Sequence, residues 1–112
     1  MTPTETIEEY TDRNIQRMTS ILDEISSKID GYRITEHWHL DNGQSAFTLE
    51  ITIPLGEKGK KGGQKSTDYI LQILDELCNR DKIDRYCMTE HYLLDDGNSL
   101  FIGDVAIPKP EN

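Results

Sequence analysis

The sequence predicts an α+β fold: an internally duplicated α-β-β-α-β-β chain that forms a four-stranded antiparallel sheet with two helices on one face. The main observation is a repeat. Residues 35–54, TEHWHLDNGQSAFTLEITIP, and residues 89–108, TEHYLLDDGNSLFIGDVAIP, are identical at ten of twenty positions. Upstream, ILDEI at 21–25 recurs as ILDEL at 73–77. A chain of 112 residues has the size of one domain, so we expect two copies of one unit around a single core.

The first helix is predicted from apolar residues that recur at alternating spacings of three and four, which is the pattern of an amphipathic helix. They are Ile15, Met18, Leu22, Ile25 and Ile29. Thr2-Pro3-Thr4-Glu5 has the form of a capping box, so the helix is expected to begin near the N-terminus and to end before Gly31. Residues 1–14 have no counterpart in the second repeat. They are therefore predicted to be a helical extension that overhangs the domain.

The second helix is predicted to begin at Ser66 and to be about half as long as the first. Its apolar positions are Ile70, Ile73, Leu74 and Leu77. The domain is thus divided into a first unit at 15–54, a Gly/Lys-rich linker at 55–66 and a second unit at 67–108. Residues 59–66 approach the phosphate-binding pattern G-x-x-x-x-G-K-S, but Gln64 stands where the second glycine belongs, so a solvated linker is the favoured interpretation.

The hairpins are predicted from Asn42-Gly43 and Asp96-Gly97, which are residue pairs typical of a two-residue type I′ turn. Pairing Asp41 with Gln44 places Trp38 opposite Phe47, and the second hairpin correspondingly places Tyr92 opposite Phe101. This register assigns each residue to one face of the sheet. Glu36, Trp38, Glu90 and Tyr92 are then expected on the helix-covered face, and the open face receives His37, His39, His91, Leu93, Leu100 and Ile102.

Composition narrows the possible functions. The formal net charge is -9, from 21 acidic and 12 basic residues, which disfavours direct binding to nucleic acid or to an anionic membrane. The N-terminal residues lack the pattern of a secretory signal, and Cys78 and Cys87 lack the spacing of a redox or zinc motif. We therefore expect a cytoplasmic protein with two reduced thiols and no cofactor.

The leading functional hypothesis is a non-enzymatic protein-interaction module. Leu93, Leu100 and Ile102 are too apolar for a freely exposed sheet face, so they are predicted to form a homodimer or partner interface. Ile7 and Tyr10 are the expected anchors if the N-terminal helix binds instead. Small acidic regulators and inhibitors, including those that occupy a nucleic-acid-binding groove on their target, share this size and charge.

Two alternatives remain open at this stage. Glu36 and Glu90, flanked by Trp38 and Tyr92, would suit a small cationic ligand. His37 and His39 share a strand face and, with His91, would suit a metal if the first strand of each hairpin lay at the centre of the sheet. No nucleophile and base stand at a recognisable spacing, so catalytic residues are not assigned.

Overall fold

The computed structural model describes residues 6–54 and 63–109, the first three of the second stretch by their backbone alone. It confirms the predicted fold class. In chain order the elements are α1 (Ile7–Glu24), a short 3-10 turn (Ser26–Lys28), β1 (Gly31–His39), β2 (Ser45–Ile53), α2 (Gly63–Asn79), β3 (Arg85–Leu93) and β4 (Ser99–Ala106). All neighbouring strands are antiparallel, and the order across the sheet is β1-β2-β4-β3. Within the described ranges, neither helix is long and apolar enough to cross a membrane.

Both helices begin at a residue other than the predicted one. α1 begins at Ile7 because Thr6 is its N-cap: the Thr6 side chain accepts the backbone N–H of Glu9, and the Glu9 carboxylate reaches back to Thr6. The capping box predicted at residues 2–5 lies outside the described residues. α2 begins at Gly63 rather than at Ser66. The helices have 18 and 17 residues, so the second is not half the length of the first.

The core lies between the two helices and one face of the sheet. Alternate residues of the central strands β2 and β4 point at the helices, which is the period-2 pattern of a half-buried strand. The strand side is formed by Phe47, Leu49, Ile51, Ile53, Phe101 and Val105, and the helix side by Met18, Leu22, Ile70, Ile73, Leu74 and Leu77. The repeat is visible in the polar contacts too. The Tyr32 hydroxyl donates to Asp23, and the Tyr86 hydroxyl donates to Asp75 at the equivalent position.

The hairpin turns are not the two-residue turns that the sequence predicts. The Leu40 N–H bonds to the Gln44 carbonyl at 2.8 Å and the Gly43 N–H bonds to the Leu40 carbonyl at 2.9 Å, which leaves residues 41–43 as a three-residue loop. Gly43 has a φ of 90°, whereas Asn42 is not among the positive-φ residues. A type I′ turn needs positive φ at both central residues, so this loop is instead a type I turn followed by a left-handed glycine. Residues 95–97 repeat the arrangement.

The extra loop residue shifts the register by one and inverts the faces near each turn. Trp38 pairs with Ala46 and Glu36 with Thr48, while His37 pairs with Phe47. A bulge between Ile34 and Glu36 then restores the predicted facing, so that Ile34 and Tyr32 pack against the core.

The same shift occurs in the second hairpin, where the bulge lies between Met88 and Glu90. Thr35 and Thr89 occupy the two bulges. Their hydroxyls donate to the carbonyls of Thr48 and Ile102 on the adjacent central strands, at 3.3 and 3.1 Å. The repeated threonine of the T-E-H motif therefore supports the bulge.

The described part of residues 1–14 does not overhang the domain. Tyr10 is 8% exposed, its hydroxyl donates to the Gly43 carbonyl at 2.9 Å, and its ring stacks on His39. Asn14 is fully buried. The first turns of α1 are thus docked on the tip of the first hairpin, and Ile7 alone among their large apolar side chains is strongly exposed, at 68%.

Candidate functional site

The most extensive candidate site is the side of the sheet turned away from the helices, which we call the open face. The register assigns it fifteen side chains in four rows: Trp38, Ala46, Ala106 and Arg85; Glu36, Thr48, Asp104 and Cys87; Arg33, Glu50, Ile102 and Glu90; and Thr52, Leu100 and Tyr92. No described helix packs against this side. Four of the eight open-face side chains on the inner strands are apolar: Ala46 and Ala106 lie at one end, and Leu100 and Ile102 lie towards the other. Thr48 and Asp104 lie between the two groups.

One end of the open face contains a hollow. Ala46 and Ala106 are paired directly across the two central strands, and their short side chains form its floor. Trp38 and Leu40 bound it on one side and Arg85 and Cys87 on the other, and Asp104 also lines it; the hollow is open to solvent and has a volume of about 150 Å³. For comparison, a closed apolar cavity of about this volume accommodates a benzene-sized group. The hollow can therefore take one aliphatic or aromatic side chain.

The other end of the open face carries larger apolar side chains, which we call the ridge; Leu100 and Ile102 in it are half-buried. Leu100 and Ile102 lie on β4, and Tyr92, which is 49% exposed, stands beside Leu100 on β3. The predicted interface residues Leu100 and Ile102 are thus together on this face. Leu93 is not with them. It pairs with Ser99, which places its side chain on the helix-side face of the edge strand β3, where it is 66% exposed. The one-residue shift in the hairpin register is the reason.

Polar side chains lie between the two apolar groups and along the edges of the open face. Arg33 forms an ion pair with Glu50 at 2.8 Å, and the Thr48 hydroxyl donates to Asp104 at 2.8 Å. The Glu90 carboxylate raises the pKa of Tyr92 by its charge and by a hydrogen bond. The face therefore carries four carboxylates against two guanidinium groups, and it keeps the acidic character of the whole chain.

The pair of acids flanked by aromatics does not form one pocket. Glu36 with Trp38 and Glu90 with Tyr92 were expected on the helix-covered face, but the shifted register places both pairs on the open face. They also lie on the two outer strands. Strands in a sheet are about 4.8 Å apart, so three spacings separate the acids by roughly 14 Å. A single small ligand cannot contact both carboxylates at that separation.

The three histidines are also rearranged. His37 and His39 face the helix side, where His37 stacks on Phe47 with ring centroids 4.7 Å apart and its Nε2 lies 3.0 Å from the Ser45 hydroxyl. Burial and the neighbouring His39 lower the pKa of His37. His91 stacks on Phe101 at 4.2 Å.

These stacks explain the repeated histidine of the T-E-H motif without a metal. The first strand of each hairpin lies at a sheet edge rather than at the centre, so His91 is on the same face as the His37–His39 pair but at the opposite edge of the sheet. Among the described residues, no three His, Cys, Asp or Glu side chains are placed to hold a metal ion. The proposed three-histidine site is therefore not assembled.

The two predicted N-terminal anchors, Ile7 and Tyr10, differ in exposure. Ile7, Tyr10, His39 and Gly43 line a shallow cavity of about 310 Å³ beside the first hairpin loop. Tyr10 is buried by its hydrogen bond to Gly43 and its ring stack on His39. Ile7 is therefore the accessible apolar side chain at this cavity. The Gly/Lys segment considered for phosphate binding lies mostly outside the described residues.

Both cysteines are free thiols, as expected. Cys87 is exposed on the open face, beside the hollow. Cys78 is half-buried in α2, where burial, and then the charges of Asp75 and Asp84, raise its pKa. The two thiols therefore lie in different parts of the molecule, and the rate at which a reagent labels Cys87 measures the accessibility of the open face.

Sequence reasoning placed Leu100 and Ile102 of the ridge on the open face, but it placed Leu93 there wrongly, assigned Tyr92 to the other face and missed the hollow. Trp38 was assigned to the wrong face, and nothing in the sequence pairs Ala46 with Ala106, because that pairing depends on the order of the strands. No protein-family model, curated protein or solved structure matches this chain.

Proposed function

We propose that this protein is a non-enzymatic interaction module whose open face binds another protein surface, in the manner of small regulators and inhibitors. The observation that carries the proposal is a four-stranded sheet face that no described helix covers and that has apolar groups towards both ends, at the hollow and at the ridge. Apolar patches rimmed by polar groups are typical of protein-binding surfaces. Trp38, Tyr92 and Arg85 supply the residue types that are most often energetic anchors in such interfaces.

The face is a better binding surface than either edge of the sheet. Both outer strands carry a bulge at the same repeat position, between Ile34 and Glu36 in β1 and between Met88 and Glu90 in β3. Bulges interrupt the regular row of backbone groups that an added strand would need, and they protect edges from pairing. A partner is therefore expected to stack on the face rather than to extend the sheet.

The alternatives explain less. A small-ligand site at Glu36 and Glu90 would have to use one aromatic and one acid at a time, because the two pairs are on opposite edges. A metal site would have to use the His37–His39 pair, which is already stacked on Tyr10 and Phe47. Binding through α1 would rest mainly on Ile7.

The proposal is tested by placing a photoreactive benzoylphenylalanine at position 102 in cells of the native host. Matched positions are Leu93, which is an exposed apolar residue off the open face, and Gln72, which is exposed on α2. Irradiation should give a discrete adduct from position 102 and none from the other two. The partner identified by mass spectrometry should then bind the purified wild-type protein and the Leu93→Lys variant, but not Ile102→Lys.

A charged side chain at position 102 points away from the core, so Ile102→Lys should keep the circular dichroism spectrum of the wild type. Two results would contradict the proposal. The first is the absence of any adduct at position 102. The second is equal binding of the identified partner by Ile102→Lys and wild type.

A further inference from the structure

The duplication has produced an open face whose two ends have opposite shapes. Positions related by the repeat carry small side chains in one half and large ones in the other: Ala46 corresponds to Leu100, and Thr48 corresponds to Ile102. The hollow lies at the end near the loop 41–43, and the ridge lies at the end near the loop 95–97. The face thus carries larger side chains at one end, which can serve as a projection, and the hollow at the other end, which can serve as a recess.

Resting on the proposed function, we infer that the partner of the open face is a second copy of this chain, with Leu100 of each copy inserted into the hollow of the other. The two copies are related by a twofold axis that lies between the sheets and runs across the strands. A contact of this kind is isologous, so the projection and the recess are each used twice.

This axis reverses the order of residues along the strands and preserves their position across the sheet. Leu100 therefore lies over Ala106 of the other copy, and Thr52 lies over Ala46, which brings Leu100 to the hollow between the two alanines. At the margin, Tyr92 lies within reach of the long Arg85 side chain of the other copy, which allows a cation–π pair, and Glu36 lies near the positive charge of Arg33. At the centre, the same axis places Asp104 against Ile102 and Glu50 against Thr48. Aligned sheets cross at about 30°, which displaces side chains at this distance from the axis by about one strand spacing, and the hollow spans two central strands.

The alternative axis, which runs along the strands, is disfavoured by packing. It would place the two hollows against each other and the two ridges side by side. The hollows would then enclose empty space, whose lining loses its van der Waals contacts. Only the axis across the strands fills each hollow with a side chain that the other copy supplies.

The area of the face suits a modest dimer. Strands of eight or nine residues are roughly 28 Å long and four strands are roughly 19 Å wide, which gives about 500 Å² from each copy and about 1,000 Å² in total. Specific protein interfaces begin at about this size. We therefore expect a dissociation constant in the micromolar range and a monomer–dimer equilibrium that ordinary concentrations can shift.

Sedimentation equilibrium between about 1 and 200 μM measures this equilibrium. The wild type should approach twice the chain mass of 12.9 kDa at the upper concentrations. The exposed thiol gives a second readout: in a Cys78→Ser background, labelling of Cys87 by a disulfide reagent should slow as the dimer forms. Leu93→Lys, which lies off the face, should leave both readouts unchanged.

A swap of the projection and the recess tests the geometry. Leu100→Ala leaves two hollows unfilled, and Ala46→Leu fills the hollow from within its own chain. Each change affects both symmetric contacts, so each should weaken the dimer by about tenfold or more. The double variant Ala46→Leu/Leu100→Ala exchanges the two repeat-related residues and should recover most of the affinity. Thermal unfolding of each variant verifies that the monomer is still folded.

The outcomes separate this inference from the proposed function. A wild type that stays monomeric at 200 μM overturns the homodimer, while a heterologous adduct at position 102 would still support the binding face. A dimer that is insensitive to Leu100→Ala and Ile102→Lys, with unchanged Cys87 labelling, uses another surface and overturns the inference. A dimer that both single variants weaken and the double variant does not restore overturns the arrangement of Leu100 in the hollow.

Discussion

Replacement of Gly103 by alanine tests how tightly the two repeats are joined. Gly103 lies on β4 directly opposite Leu49, its own counterpart in the first repeat, at the centre of the β2–β4 pair. A Cβ atom at Gly103 would lie 2.1 Å from Cε of Met88, 2.7 Å from the carbonyl oxygen of Cys87 and 3.0 Å from Cα of Met88. The first repeat places leucine here, whereas in the second the side chain of Met88 fills the space.

The magnitude follows from which of these neighbours can move. The end of the Met88 side chain is flexible, but the Cys87 carbonyl belongs to β3 and cannot retreat without loosening the β3–β4 pairing. Overpacking of this kind costs about 1–3 kcal/mol. Loss of glycine's freedom in the unfolded chain returns about 0.4–1 kcal/mol. We therefore expect Gly103→Ala to lower the free energy of unfolding by about 1–2 kcal/mol.

Urea unfolding followed by circular dichroism measures the difference, and the melting temperature should fall by about 4 °C for each kcal/mol. Gly31→Ala is the matched control, because a Cβ there meets nothing within 4 Å and its φ is not in the left-handed region. It should be neutral or slightly stabilising. Repeating Gly103→Ala in a Met88→Ala background separates the two contacts, and the cost that remains belongs to the Cys87 carbonyl. A Gly103→Ala variant as stable as wild type would show that the Cys87 carbonyl does not obstruct a side chain at position 103.

Two further changes probe local features. The hydrogen bond from Tyr86 to Asp75, followed by desolvation, raises the pKa of Tyr86 to about 12. Since the pKa of an unfolded tyrosine is about 10, this bond contributes fully to stability below pH 10 and its contribution is lost as the pH rises from 10 towards 12. Unfolding measured at pH 8 and 11 should therefore show a smaller alkaline loss for Tyr86→Phe than for wild type, and equal losses would count against the bond. Asp81 has a φ of 58° just after α2, where its N–H bonds to the Cys78 carbonyl and the next N–H bonds to the Leu77 carbonyl. Because a left-handed residue in such a cap is normally glycine, Asp81→Gly should raise the free energy of unfolding by about 0.5–1 kcal/mol, whereas Gln72→Gly within α2 should lower it by about 1 kcal/mol. Destabilisation by Asp81→Gly would show that the aspartate side chain makes a contact that outweighs the strain.

The sequence by itself determined the elements and their order. The alternation of Phe47, Leu49, Ile51 and Ile53 identifies the buried face of β2 whatever the turn does, because side chains along a strand alternate with a period of two. The spacing of Met18, Leu22 and Ile25 identifies the buried side of α1 in the same way. Because of the repeat, a feature of one hairpin is expected in the other. The tyrosine–aspartate hydrogen bonds and the bulges both occur in repeat-related pairs.

The facing of the first strands was decided only by the tertiary structure. Asn-Gly and Asp-Gly fit both a two-residue turn and a three-residue loop, and these differ by one residue of register. Since a one-residue shift turns every side chain to the other face, it exchanged Trp38 and Glu36 with His37 and His39. The sequence had no means to choose, because both faces of these segments contain aromatic and polar residues.

The candidate site depended on strand order as well. Residues 106 and 46 are sixty positions apart, and they form the floor of the hollow only because β2 and β4 are neighbours at the centre of the sheet. That arrangement is set by the long-range packing of the two repeats across the β2–β4 pair. The helix and strand propensities of individual residues do not predict which strands become neighbours. The ridge of Leu100 and Ile102 could be predicted from alternation along one strand, whereas the recess that complements it required the assembled sheet.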